Sequence, residues 1–124
     1  MKILLITEDS NLISSFSKDV IPSEFKIEIF SCHINLLEII SSIYSDNFSI
    51  IIIDDDCMGK NSLQLLKSVR TMKKNMKIIF LTSDNSIEKG REISPLGVLY
   101  YGIKPVSQRE LLQVLDSSKK ILTQ

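Results

Sequence analysis

Phe48-Ser49-Ile50-Ile51-Ile52-Ile53-Asp54-Asp55-Asp56 joins a short apolar run directly to three carboxylates. Its four consecutive isoleucines are β-branched and suit a pleated strand. The run does not alternate apolar with polar residues. It therefore predicts a strand covered on both faces, as in the middle of a parallel sheet. It is too short to span a membrane. Helix-covered parallel sheets bind ligands at the carboxyl ends of their strands. Asp54, the first residue after the run, is thus the expected centre of the chemistry.

Similar runs lie on either side. Lys2-Ile-Leu-Leu-Ile-Thr7 reads as a first buried strand ending in Glu8 and Asp9. A helix is expected from Ser10 or Asn11, both good N-caps, with Leu12, Ile13, Phe16 and Val20 at helical spacing and Pro22 at its exit. Phe25 to Ser31 alternates Phe25, Ile27 and Ile29 with Lys26 and Glu28, as a half-exposed edge strand does. Asn35 to Tyr44 predicts a second helix with a stripe of Leu36, Leu37, Ile40, Ile43 and Tyr44.

Beyond the aspartates, Cys57 to Ser62 reads as a loop. A third helix from about Leu63 to Lys73 would bury Leu65, Leu66, Val69 and Met72. Lys77-Ile-Ile-Phe-Leu-Thr82 is a fourth strand. The helix expected at about Asn85 to Ile93 is weak, because Gly90 inside it disfavours helix by about 1 kcal/mol relative to Ala. Pro95 and Gly97 then break the chain, and Val98 to Ile103 forms a fifth strand followed by Lys104-Pro105. Ser107 and Glu110 form a capping box for a last helix burying Leu111, Leu112, Leu115 and Leu122.

Five strands alternating with five helices predict an α/β fold, a single doubly wound parallel sheet with right-handed crossovers. At 124 residues the chain is expected to be one domain, 1–124. With 44% hydrophobic and 24% charged residues it is an ordinary globular sequence, not a disordered one. Fifteen basic and fifteen acidic residues give zero formal charge, which argues against nucleic-acid binding by bulk electrostatics. Two cysteines, Cys32 and Cys57, make no disulfide framework, so a reducing cytoplasm is expected and Cys57 reads as a small filler near the site. No signal peptide or membrane span is recognised.

In the common strand order 2-1-3-4-5, strands one and three are neighbours, so Asp9 and Asp54 converge. Two carboxylates ~4 Å apart repel by roughly 4 kcal/mol at an effective dielectric of 20. A hard cation such as Mg²⁺ relieves that repulsion, with Glu8 holding a water and the Asp56 backbone carbonyl as a further ligand. An aspartate can attack phosphorus to give an acyl phosphate. Lys104 can supply an ammonium and Thr82 a hydroxyl to the transferring group.

These residues resemble the receiver domain of two-component response regulators, chemotaxis-regulator-like, over essentially the whole chain. Glu8-Asp9 match the family's acid pair, Asp54 its phosphorylated aspartate and Leu63 to Lys67 the opening of its third helix. Thr82-Ser83 match the switch hydroxyl and small neighbour, Tyr101 the switch aromatic, and Lys104-Pro105 the lysine with its usually cis proline bond. The resemblance implies a flavodoxin-like three-layer (βα)5 fold and cytoplasmic phosphorelay signalling. It implies Mg²⁺ (or Mn²⁺) as cofactor and a histidine kinase or histidine phosphotransfer protein as phosphoryl donor to Asp54. The output would be the face of the fourth helix, fifth strand and fifth helix, toward an unknown partner or domain. Neither nucleic acid nor membrane is an implied direct partner.

The match has departures. Met58 and Ser62 stand where the family usually has proline and glycine. Leu99 and Tyr100 replace acidic residues of the subfamily that dimerises through the output face, so no dimer signature is carried over. Asp56 and Asp84 occupy positions that tune phosphate lifetime. Asp55 reads as an exposed acid beside the site, and His33 as a surface residue. Two other readings stand beside this one. A pseudo-receiver would bind a partner without phosphorylation, but such domains usually lack one of the acids or the lysine. A haloacid-dehalogenase-type phosphohydrolase would use Asp54-x-Asp56, but that motif normally follows the first strand, and the chain leaves no room for a cap.

Overall fold

The computed structural model describes residues 1–17 and 21–122. Five parallel strands form one sheet in the order β2-β1-β3-β4-β5: β1 Lys2–Ile6, β2 Lys26–Phe30, β3 Ile50–Asp54, β4 Lys77–Thr82 and β5 Tyr100–Ile103. The helices are α1 Ser10–Ser15, α2 Leu36–Ser45, α3 Asp55–Met58, α4 Asn61–Met72, α5 Ile87–Ile93 and α6 Gln108–Leu122, with a 3-10 turn at Ser94–Leu96. The doubly wound α/β fold expected from the sequence is the one found.

Alternate residues of the central strands face opposite layers. Ile51, Ile53, Leu4, Ile6, Ile78 and Phe80 pack with α2 and α4 on one side. Ile50, Ile52, Ile3, Leu5, Ile79 and Leu81 pack with α1 and α6 on the other. All four isoleucines of β3 are fully buried, as a strand covered on both faces requires. In β5, Gly102 is imposed by packing: a Cβ there would lie 2.7 Å from the Tyr100 ring and 2.8 Å from Leu81.

Several local expectations are corrected. Asp9, not Ser10 or Asn11, caps α1, accepting from the backbone N–H groups of Asn11 and Leu12. Val20 and the side chain of Leu122 lie outside the described residues. On α2 the inward face is Ile39 and Ile43 with Leu36 and Ile40 beside them, whereas Leu37 and Tyr44 are 72% and 70% exposed. At 3.6 residues per turn, Leu37 and Tyr44 lie roughly 140–160° around the helix from Ile39.

Part of the expected loop after the aspartates is the one-turn helix α3. Gly59, at φ 58°, makes the turn into α4. Ser62, where the family usually has glycine, is fully buried in the first turn of α4. The fifth strand begins at Tyr100 rather than Val98, after a left-handed Gly97 at φ 69°. Only half of the capping box forms. The Ser107 hydroxyl accepts from the Glu110 N–H at 3.1 Å, but the Glu110 carboxylate accepts from the Tyr100 hydroxyl at 2.9 Å.

Arg70 fastens the far end of the sheet. Its guanidinium donates to the carbonyls of Leu96, Lys74, Met76 and Gly97 at 2.8–3.0 Å. The cysteine expectation fails: Cys32 and Cys57 form a disulfide, with Cα atoms 5.9 Å apart. Strand order explains the meeting. β1 lies between β2 and β3, so the loop after β2 and helix α3 after β3 come together over its carboxyl end. The cysteines therefore no longer argue for a reducing compartment. Among the described residues, no helix is long and apolar enough to cross a membrane.

Candidate functional site

The carboxyl ends of β1, β3, β4 and β5 deliver the polar residues to one place. Asp54, the last residue of β3, is 1% exposed. Its Oδ2 accepts from the Thr7 hydroxyl at 2.6 Å, and its Oδ1 from Lys104 Nζ at 3.0 Å and the Asp56 N–H at 3.2 Å. Lys104 follows β5, and its peptide bond to Pro105 is cis. Its ammonium also lies 3.0 Å from Asp9 Oδ2 and 3.3 Å from Asp56 Oδ2. One cation thus gathers three carboxylates from at or just beyond the ends of two strands, β1 and β3. Beside them opens a cavity of about 300 Å³ lined by Asp9, Asp56, Ser83, Lys104 and Pro105 among others.

Electrostatics follow from this geometry. The hydrogen bond from Lys104 holds the Asp9 carboxyl below its usual range, aided by the N–H groups of Leu12 and Asn11. Burial pushes Asp56 up, but the Ser83 hydroxyl and N–H together with Lys104 outweigh it and leave it lowered. Burial likewise pulls Lys104 down, but its hydrogen bonds to Asp54 and Asp9 prevail and push it up to about 12. The signs fix a pH dependence. Asp9 and Asp56 are depressed, so their contribution to stability is present above their unfolded pKa, near 4, and is lost as pH falls through the folded values. Lys104 is raised, so its contribution is lost only as pH rises through about 12. Urea midpoints measured in chelator should therefore fall with acid below about pH 4. The Asp9→Asn, Asp56→Asn double variant should show a shallower fall over that range. An equal acid limb in both proteins would contradict this assignment.

The structure brings Asp9, Asp54 and Asp56 to one ammonium, that of Lys104. Glu8 is held by other partners. It accepts from the Ser31 hydroxyl at 2.5 Å and lies 2.9 Å from His33 Nε2. Thr82 is fully buried at the end of β4. Tyr101 stacks on Phe80 with ring centroids 5.7 Å apart. Its hydroxyl is buried without a hydrogen-bond partner, and burial, with Asp84 adding to it, pushes the phenol up. Asp9 and Asp56 at the cavity mouth, with Asp54 buried beside them, are hard oxygen donors of the kind a small divalent cation takes, and the Lys104 ammonium is the cation that links them here.

Two residues escaped the sequence reading. Thr7 reaches Asp54 because Ile6 pairs with Ile53, which sets the next residues of β1 and β3 side by side. Asp55 is not an exposed acid: it is 7% exposed, accepts from the Thr82 hydroxyl at 2.7 Å and lies 3.0 Å from Lys89 Nζ. Its position follows from the Asp54–Leu81 pairing, which places Asp55 beside Thr82. Register across the sheet carries both facts, and register is not written in either run alone.

Comparison with known proteins agrees with this architecture. Residues 4–116 match the family model described as the response regulator receiver domain. Comparison with curated protein sequences finds no match. Among solved structures, a CheY-like receiver domain protein from Methanospirillum hungatei is 25% identical, with TM-score 0.74 over 98% of both chains. A chemotaxis response regulator of Vibrio cholerae is 22% identical, with TM-score 0.75 over 94% of this chain and 97% of its own. A response regulator from Thermotoga maritima shares the fold at 16% identity and TM-score 0.77, over 96% of this chain and 97% of that one. With most of its length matched and its acids, hydroxyl and lysine gathered at the strand ends, the chain belongs to the response-regulator receiver domain family.

Proposed function

We propose that residues 1–124 act as a receiver that takes a phosphoryl group on Asp54 from a phosphohistidine of a histidine kinase or histidine phosphotransfer protein. The observation that carries this reading is the placement of Asp54: buried, terminal on the central strand, and 3.0 Å from an ammonium beside an open cavity. An Asp54 carboxylate oxygen attacks phosphorus, the P–N bond to histidine breaks, and the imidazole leaves with the bond's electron pair. Lys104 stays within reach of the growing negative charge on the phosphoryl oxygens. Asp9, Asp54 and the backbone carbonyl of Asp56, with Glu8 acting through water, would hold Mg²⁺ or Mn²⁺. When bound, the ion supplies positive charge against the phosphoryl oxygens.

Thr82, and through it the α5–β5–α6 face with Tyr101, transmits the change to an output partner. Tyr101 already packs inward against Phe80, so the first event falls to Thr82 and its neighbours. The domain would work in the cytoplasm as a phosphoprotein rather than as a turnover enzyme. Incubation with Mg²⁺ and phosphoramidate or acetyl phosphate, followed by intact mass, tests this. Wild type should gain one phosphoryl group and Asp54→Ala none. If wild type stays unmodified with these donors and with a phosphohistidine donor, the domain acts without phosphorylation and the proposal fails.

A further inference from the structure

Asp55 stands where the acceptor chemistry gives it no role, yet it is among the most constrained charges in the protein. It follows the phosphoacceptor, is 7% exposed and has two partners. The Thr82 hydroxyl donates to its Oδ2 at 2.7 Å, and Lys89 Nζ lies 3.0 Å from its Oδ1. Thr82 Oγ1 also accepts from the Asp84 N–H at 3.0 Å. The switch hydroxyl is therefore fully engaged, and its one proton points to Asp55 and not to Asp54. Lys89 sits on α5, whose apolar anchorage is slight: Ile93 is its buried residue and Ile87 is 69% exposed. The Lys89 ammonium also lies 5.8 Å from the Phe80 ring centroid, which further fixes it over β4.

We infer that Asp55 is a positioning residue that competes with a phosphorylated Asp54 for the Thr82 hydroxyl and, through Lys89, ties α5 to the resting state. The inference rests on the phosphoacceptor reading of Asp54 for its role in switching, though the hold on Thr82 belongs to the resting protein. A hydrogen bond to an ionised carboxylate is about twice as strong as a neutral one, so a new dianion must outbid a strong acceptor. When Thr82 is drawn to the phosphoryl oxygens, Asp55 keeps only Lys89. The acid after the phosphoacceptor thus couples the switch hydroxyl to the loosest helix of the output face.

The test is a double-mutant comparison with beryllium fluoride as the phosphoryl mimic, in Mg²⁺, read by calorimetry. Asp55→Ala should bind the mimic roughly tenfold more tightly than wild type, since a charge-assisted competitor is removed. Asp55→Asn, which keeps a neutral acceptor of the same size, should fall between them. In a Thr82→Val background neither substitution should tighten binding. Equal tightening in both backgrounds would show only that a negative charge was removed, and would overturn the inference, as would no tightening at all.

A second readout needs no ligand. Three-bond couplings to the Thr82 methyl should report one χ1 rotamer in resting wild type and rotamer averaging in Asp55→Ala or Asp55→Asn. Unchanged couplings overturn the hold on Thr82. If wild type binds no beryllium fluoride, the phosphoacceptor reading falls, and the couplings alone decide whether Asp55 positions Thr82.

Discussion

Lys104→Met should cost about 3 kcal/mol of unfolding free energy in chelator at neutral pH, near the low end for breaking a buried ion pair. The Lys104 ammonium lies within 3.3 Å of Asp9, Asp54 and Asp56. Methionine keeps the length of the side chain and removes the charge. Three carboxylates then face one another with no cation among them. Asp9 and Asp56 keep 31% and 37% side-chain exposure, so solvent screens part of the repulsion and the upper end of the range is not expected. The loss should shrink toward pH 4, as the carboxylates take up protons. It should also shrink when Mg²⁺ is added to the buffer, because a divalent cation restores positive charge to the cluster. Phosphoryl uptake should fall by about 100-fold, the scale of removing one preorganised positive group from a developing charge. Urea unfolding of the two proteins in chelator and in Mg²⁺ measures the first effects. A variant as stable as wild type in chelator would show that Lys104 does not hold the acids together.

This site was legible in the sequence to the extent that it depends on strand ends. Continuous apolar runs identify β1, β3 and β4, a mixed run identifies β5, and polar residues at or close after strand ends are where chemistry collects in a parallel sheet. Asp54, Asp9, Thr82 and Lys104 are singled out that way. What depends on register or on the rotation of a helix was not legible. Thr7 and Asp55 acquire their partners only when Ile6 pairs with Ile53 and Asp54 with Leu81. Leu37 and Tyr44 satisfy an apolar stripe in the sequence of α2, yet the sheet meets the face centred on Ile39 and Ile43. Glu110 reads as a cap, but the Tyr100 hydroxyl on the neighbouring strand takes its carboxylate. Local patterns name the candidates, and the tertiary neighbour decides between two satisfactory local partners.

The Cys32–Cys57 bridge is the clearest case of tertiary control, and its removal should be the largest single covalent effect on stability. The two residues are 25 apart in sequence. A loop of that size, closed in the unfolded chain, is worth roughly 3–4 kcal/mol on the chain-entropy account. The bridge also has a local consequence. Cys57 lies in α3, directly after Asp54, Asp55 and Asp56, and Cys32 follows β2 next to His33, whose imidazole faces Glu8. It therefore fastens the segment carrying the three aspartates to the loop that holds the Glu8 carboxylate. Reduction frees both, and the site should lose order at Asp56 before the sheet yields. Urea unfolding of wild type with and without a phosphine reductant should separate by roughly 3 kcal/mol. The Cys32→Ser, Cys57→Ser variant should match the reduced protein and ignore the reductant. Amide exchange at Asp55 to Met58 should quicken on reduction while Ile51 to Ile53 stay protected. Free thiols in untreated, denatured protein, or one midpoint for all samples, would mean that the two cysteines only pack against each other, and α3 would then owe its position to Asp54, whose carboxylate caps it by accepting from the Asp56 N–H.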